Sequence, residues 1–386
     1  MIATRIELVS MRRLSAAWAV IVAAALVGAS TPALGQVTPL SCGVSAPESR
    51  WLAESYRETH SYGLDGEEEW IGSYGGLTAA GDSLFLYDQL RPRIVHLSGD
   101  LEERYAFGRQ GEGPGEFEWA VPVSWIDDIA EGHVAFDGRN LVVYDRNDVA
   151  SFDPEGEFRW STLVPTRTVF ISGVQFVTPV DQDQVIFGVD SVDAGSRRLQ
   201  LWKATRPEPD RRELLWERFV FTRTPDDRFR NPHKRESHPY WARHENCIVV
   251  SDGGRQSLWV VDLTTLRTDS IALPEWEVPE FGELRSDLSV INLGGREMPE
   301  PREPTLLWRW RGLIVDPDGH VWLRAWTESR QEFEVFVVSL ASGESRRLLD
   351  PPGFPTAFGP PGVFYTARER AETDEQYLVR LERERR

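Results

Sequence analysis

Beyond about residue 70 the hydrophobic positions fall in short runs of four to six, broken by turn residues, and the runs come in pairs. The first member of each pair is continuously apolar and the second alternates apolar with polar positions. Ser83 to Asp88 precedes Arg93 to Leu97, and Leu141 to Asp145 precedes Val149 to Asp153. Gln184 to Gly188 pairs with Leu199 to Trp202, and Cys247 to Ser251 with Leu258 to Asp262. His320 to Arg324 pairs with Phe333 to Ser339, and Val363 to Ala367 with Tyr377 to Leu381. β-branched and aromatic residues at strand length, separated by turn chemistry, predict six β-hairpins.

Weaker strand patterns flank the pairs. In the first copy they are Gly76 to Ala80 and Glu103 to Phe107; in the fifth, Gly312 to Asp316 and Ser345 to Leu349. Four antiparallel strands per unit, recurring every ~40–50 residues, predict an all-β fold, a six-bladed β-propeller whose sheets bury their faces against one another. The sixth unit shows three strands before the chain ends. The segment from residue 51 to 69, with a strand-like Trp51 to Tyr56, is therefore expected to close the ring as the outer strand of blade six, so that no edge is left at the seam. Asp153 to Gly156 and Asp316 to Gly319 carry the Asp-Pro-x-Gly arrangement of type I turns. The chain has fifteen tryptophans, fourteen of them beyond Trp18, and large flat rings suit packing between blades.

The segment from Gly108 to Phe117 holds four glycines and a proline, which excludes a helix or a central strand. It lies between strand-like Glu102 to Phe107 and Val121 to Ile126 and reads as the join of two blades. The run Gly111-x-Gly113-Pro114-Gly115-Glu116-Phe117 resembles the inter-blade signature of NHL-type six-bladed propellers. Tyr87-Asp88 with Arg93-Ile94 fits the strand, aspartate, basic residue and strand that accompany it there, and Tyr144-Asp145 fits the first half. The resemblance covers residues 76 to 160; the later blades share the architecture without the motif. It implies that the loops between second and third strands, with the links between blades, gather on one face around the mouth of the central channel.

Composition narrows the class. The first residues combine Arg5, Arg12 and Arg13 with an apolar run from Leu14 to Gly28 and small residues at Ala33 and Gly35. This layout predicts a signal peptide over 1–35, a tail over 36–50, a single propeller domain over 51–386, and a secreted or periplasmic location. An uncleaved anchor is the alternative, although the run is shorter than the ~20 residues of a spanning helix. The leader's three arginines and one glutamate contribute +2 to the chain's −18, leaving −20 on the remainder. Such a surface repels nucleic acid and anionic lipid. Cys42 and Cys247 suit one disulfide in an oxidising compartment, while Pro39-Leu40-Ser41-Cys42 offers lipidation of Cys42 as the competing reading.

The mouth face is predicted to be rich in arginine, with Arg91, Arg93, Arg109, Arg146, Arg228, Arg230, Arg235, Arg243 and Arg255 assigned to it. Arginine forks bind carboxylate or phosphate, so Arg93, Arg109, Arg146 and Arg235 with Trp241 are the candidate ligand residues, and pairing with the protein's own carboxylates is the competing role. The expected partner is a protein, a peptide or a small anionic ligand, with no cofactor. The alternative is a metal-dependent hydrolase or lyase with one divalent cation in the channel, for which His233 and His238 are weak candidates whose spacing matches no zinc pattern. Asp145 to Asp148 lacks the glycine and closing glutamate of a calcium loop. No nucleophile elbow, zincin motif or phosphate loop is present. The segment Glu275 to Pro304, with Pro279, Pro299, Pro301 and Gly294-Gly295, is longer than a blade join requires and is a candidate lid.

Overall fold

The structure is a computed structural model. It describes residue 42 and residues 48–384 except 54, 64–70, 73, 112, 118–133, 146–147, 164–172, 194–195, 207, 223–238, 252–256, 274–309, 327–332, 349–351 and 371–375. The leader region, the Val121 to Ile126 strand, the histidines His233 and His238, Arg146, Arg235 and the candidate lid lie outside the described residues.

The described residues form six four-stranded antiparallel sheets and no helix. A first strand, β1 (Tyr56–Tyr62), precedes the repeats. Blade one is β2 (Tyr74–Ala80), β3 (Ser83–Asp88), β4 (Arg93–Ser98) and β5 (Glu103–Phe107); blade two is β6 (Val134–Phe136), β7 (Leu141–Asp145), β8 (Asp148–Phe152) and β9 (Phe158–Leu163). Blade three is β10 (Gly173–Asp181), β11 (Gln184–Asp193), β12 (Ser196–Thr205) and β13 (Glu208–Thr222); blade four is β14 (Tyr240–His244), β15 (Cys247–Ser251), β16 (Ser257–Asp262) and β17 (Thr268–Ala272). Blade five is β18 (Trp310–Val315), β19 (His320–Trp326), β20 (Phe333–Ser339) and β21 (Ser345–Leu348). Blade six has β22 (Ala357–Phe358), β23 (Val363–Glu369) and β24 (Gln376–Arg383), and β1 pairs antiparallel with β24 as its fourth strand. The predicted hairpins are all present, and the fold is a six-bladed β-propeller.

The second strand of each blade is continuously apolar because both its faces are buried. In β3, Leu84 and Leu86 pack back against blade six, while Phe85 and Tyr87 pack forward against blade two. Each of the six joints between blades holds one buried cluster, and these clusters are the core. The outer strand β21, polar except for Leu348, marks the other extreme, its residues exposed or half-buried.

The Gly108 to Phe117 segment is a blade join, and its glycines have specific causes. The Phe117 amide donates to the Arg109 carbonyl (2.8 Å) and the Gly111 amide to the Phe117 carbonyl (3.0 Å). The reversal drives Phe117, 1% exposed, between Tyr87 of blade one and Phe152 of blade two. Gly108 adopts φ +86°, and a Cβ there would stand 2.2 Å from the Phe117 ring.

Closure comes from the expected segment, with the strand beginning at Tyr56 rather than at Trp51. The closing strand is Tyr56–Tyr62, and residues 51 to 55 precede it. Trp51 is withdrawn from the strand because its indole, 2% exposed, fills the joint of blades five and six beside Trp322 and Phe354, with Nε1 donating to the Gly359 carbonyl (3.2 Å). Ahead of it, Arg50 clasps Asp318 through its amide (2.8 Å) and its guanidinium (2.6–3.0 Å), and the Ser49 hydroxyl donates to buried Asp316. Further upstream, Cys42 is joined to Cys247 of β15 by a disulfide, which settles the role of both cysteines. The N-terminal strap thus binds blades four, five and six in succession.

Candidate functional site

The first strands β2, β6, β10, β14 and β18, with residues leading into β22, surround a central cavity of about 410 Å3. This lies within the ~300–1,000 Å3 of small-ligand sites. Its walls carry the threonines Thr78, Thr178 and Thr356 between Phe136, Ile314 and Trp241, so hydroxyls interrupt an otherwise apolar lining. Three charged residues line it: Asp137, Arg243 and Glu245. Asp137 lies in the β6–β7 turn, Arg243 one position before the end of β14 and Glu245 in the β14–β15 turn. All three therefore sit at the end of the channel where the first and second strands of each blade are joined, opposite the mouth loops.

Arg243 is the unusual member. Its Nη1 donates to Thr178 Oγ1 (3.2 Å) and to the Pro179 carbonyl on β10, and its Nε donates to the Glu245 carbonyl (2.8 Å). Every one of these acceptors is neutral. Burial pulls its pKa below the usual arginine value, against the opposing pull of Asp137, yet a guanidinium stays protonated in proteins. The Asp137 carboxylate is turned to its own loop, where Oδ1 accepts from the Arg139 amide (2.9 Å) and the Asn140 amide (2.8 Å) and Oδ2 from the Asn140 side chain (3.2 Å).

Of the sequence-predicted ligand residues, Arg93, Arg109 and Trp241 lie among the described residues. Arg93 pairs across its hairpin with Asp88, Nε to Oδ2 3.9 Å, and Asp88 also accepts from the Gly72 and Arg91 amides (3.2 Å each). Arg109 pairs with Glu116, whose other oxygen accepts from the Gly113 amide (2.9 Å). The Gly113 amide and the Arg109 guanidinium hold the Glu116 carboxyl below its ordinary value. Both arginines therefore meet the protein's own carboxylates. Trp241 lies in the joint of blades three and four, 5% exposed, against Phe176 and Trp216, and reaches the channel wall from there. Arg243, expected at the mouth, is at the opposite end because it is the fourth residue of a strand that runs away from the mouth.

A second polar cluster lies at the first turns of blades four and five. Asp316 accepts from the Asp318 and His320 amides (3.0 Å each) and from Trp322 Nε1 (3.0 Å), as well as from Ser49. Burial alone would raise its pKa; these donors outweigh it and hold the carboxyl below its usual range. His320 Nδ1 stands 3.6 Å from Asp316 Oδ1, an electrostatic contact rather than a hydrogen bond. Buried His244 faces this group, and burial lowers its pKa. Among the described residues no group of three or more His, Cys, Asp or Glu could hold a metal ion.

No family model matches the chain, and no curated protein matches it in sequence. Solved structures do. A protein of Bacteroides fragilis assigned as exported aligns over 89% of this chain and 98% of its own, with a TM-score of 0.50 at 7% identity. A member of the DUF4221 family from Bacteroides vulgatus aligns over 86% of this chain and 97% of its own, with a TM-score of 0.52 at 10% identity. At such identities the likeness is one of fold, and it extends over the whole propeller. The NHL resemblance stays local to blades one and two.

Proposed function

We propose that the protein is an exported, secreted or periplasmic, recognition module, a propeller that binds a small ligand inside its central channel. The observation that carries this reading is the cavity itself: about 410 Å3, walled by all six blades, with hydroxyls and one cation set among apolar side chains. Few directed polar groups on an apolar wall are what orients a small molecule. The reading favours the channel over the mouth because Arg93 and Arg109 already have carboxylate partners, whereas Arg243 has none within ion-pair reach among the described residues. The disulfide supports export, since such bonds persist in oxidising compartments, and so does the shared fold of the Bacteroides fragilis protein.

The test is a thermal-shift screen of small metabolites on the wild type and on Thr356→Trp, which fills the channel from a half-exposed position. A ligand at a hundred times its Kd adds about 2.7 kcal/mol of stability. Compounds that raise the wild-type Tm are expected to leave the variant unmoved. Hits that stabilise both proteins equally would place the binding site outside the channel.

A further inference from the structure

We infer that the channel site takes a small organic carboxylate, with its anionic group on Arg243 Nη2 and its apolar body against Phe136 and Ile314. This rests on the channel reading above and names the ligand class for it.

Three observations converge on Arg243. The first is its hydrogen-bond inventory. A guanidinium has five N–H donors; Nε and Nη1 are spent on Glu245, Thr178 and Pro179, and Nη2 has no partner among the described residues. The spent donors lock the fork in place, so Nη2 is held with its two N–H groups free to donate charge-assisted bonds to an anionic oxygen. The second is the lack of any need for a cation at this position. At the joint of blades one and two, Thr78 of β2 opposes Phe136 of β6, whose amide donates to the threonine hydroxyl (3.0 Å). At the joint of blades three and four, Thr178 of β10 opposes Arg243 of β14. In register the two residues correspond, since Phe136 pairs with Leu141 and Arg243 with Ile248, each five residues on across the hairpin and on the side facing the preceding blade. The fold is therefore content with a phenyl ring where blade four supplies a charge.

The third is the charge around it. Asp137 and Glu245 carry the only carboxylates among the cavity's described lining residues. The Asp137 oxygens are held by their own turn, and Glu245 is exposed and offers Arg243 only its main-chain carbonyl. One free guanidinium edge near two carboxylates suits a singly charged anion; a doubly charged phosphate would meet repulsion with a single cation to offset it. The apolar side chains in the wall, Phe136 and Ile314, offer an acid with a hydrocarbon body contacts that a small hydrated ion cannot make.

The experiment is isothermal titration of the intact protein at neutral pH with hexanoate and phenylacetate and with their uncharged amides, hexanamide and phenylacetamide. The acids are expected to bind and the amides to bind at least about tenfold more weakly, because the amide leaves the guanidinium edge without an anionic acceptor. Arg243→Phe reproduces the residue of blade two and is expected to fold with an unchanged Tm while losing acid binding by about tenfold or more; Arg243→Lys keeps the charge without the fork and is expected to fall between. Equal binding of acids and amides, both lost in Thr356→Trp, would overturn the carboxylate assignment and leave the channel reading standing. Acid binding undiminished in a folded Arg243→Phe protein would overturn it as well, as would failure of both acids to bind at millimolar concentration while the metabolite screen yields channel ligands of other chemistry.

Discussion

Two joints of the same ring are built on opposite principles. Between blades one and two, aromatic rings lead the packing: Phe117 is pressed between Tyr87 and Phe152, and Phe85 meets Phe136 edge-on at 4.7 Å, with Ile94, Leu141 and Val143 filling in around them. Between blades three and four the wall residue is a half-buried arginine, and Trp241 beside it keeps a buried indole N–H that no acceptor meets among the described residues. The first joint spends its sequence on packing, down to a glycine whose Cβ the ring would not tolerate. Both joints leave buried ring nitrogens unmet, those of His96 in the first and of Trp241 in the second, but the second also accepts a desolvated charge, which costs stability. Where a repeat fold departs from its cheapest joint, the departure marks residues kept for something other than holding the ring closed.

Removing the wedge should have the largest effect. Phe117→Ala empties the first joint of a fully buried ring and is expected to cost about 3–5 kcal/mol in denaturant unfolding. A cost no greater than that of a surface substitution would deny the join its packing role. Gly108→Ala comes next, expected to lose more than about 1 kcal/mol because the position combines a left-handed backbone with contact to the same ring. In the double variant the clash with the ring is gone, so the two losses should add to less than their sum.

Acid should act on the first joint more gently. His96 stacks on Phe85 at 4.5 Å, both its ring nitrogens are buried without partners, and burial together with Arg104 holds its pKa below the ordinary histidine value. A group that the fold keeps neutral takes up its proton more readily when unfolded. Its contribution is therefore intact well above the unfolded value of about 6.5 and declines as pH falls through and below it. His96→Phe is expected to flatten the loss of Tm between neutral and mildly acidic pH without changing the neutral Tm by much. An equal acid slope in the variant would assign that sensitivity elsewhere, His244 being the other imidazole whose pKa burial lowers.

The architecture was legible because its signal is periodic. Continuous apolar runs such as Leu84 to Tyr87 announce strands buried on both faces, and Asp153 to Gly156 and Asp316 to Gly319 form the turns their residues demand, each glycine amide donating to the aspartate carbonyl (3.0 Å). The closing strand was harder to place, since Trp51 has strand propensity and only the three-dimensional joint of blades five and six can claim it. The candidate site was read less well. Arginine in a polar loop looks like a ligand residue, and Arg93 and Arg109 are in loops or at strand starts, yet their partners Asp88 and Glu116 are five and seven residues away in sequence and already bind them. Arg243 was assigned to the wrong end because its place within β14 depends on where the strand begins. One clue was available: an arginine near the end of Tyr240–His244 stands in a wall strand, where the second halves of β2, β6 and β18 are uncharged.

The N-terminal strap has a mechanical consequence. A tug on the chain ahead of Cys42 would reach the body first through the sulfur bridge to blade four, ahead of the clasp on blade five and of β1. In a propeller sealed by one hydrogen-bonded strand, unzipping that strand is the easiest way to open the circle. Here tension is diverted into a covalent bond two blades upstream of the zipper, so the protein can be held by its amino end without its seam bearing any force.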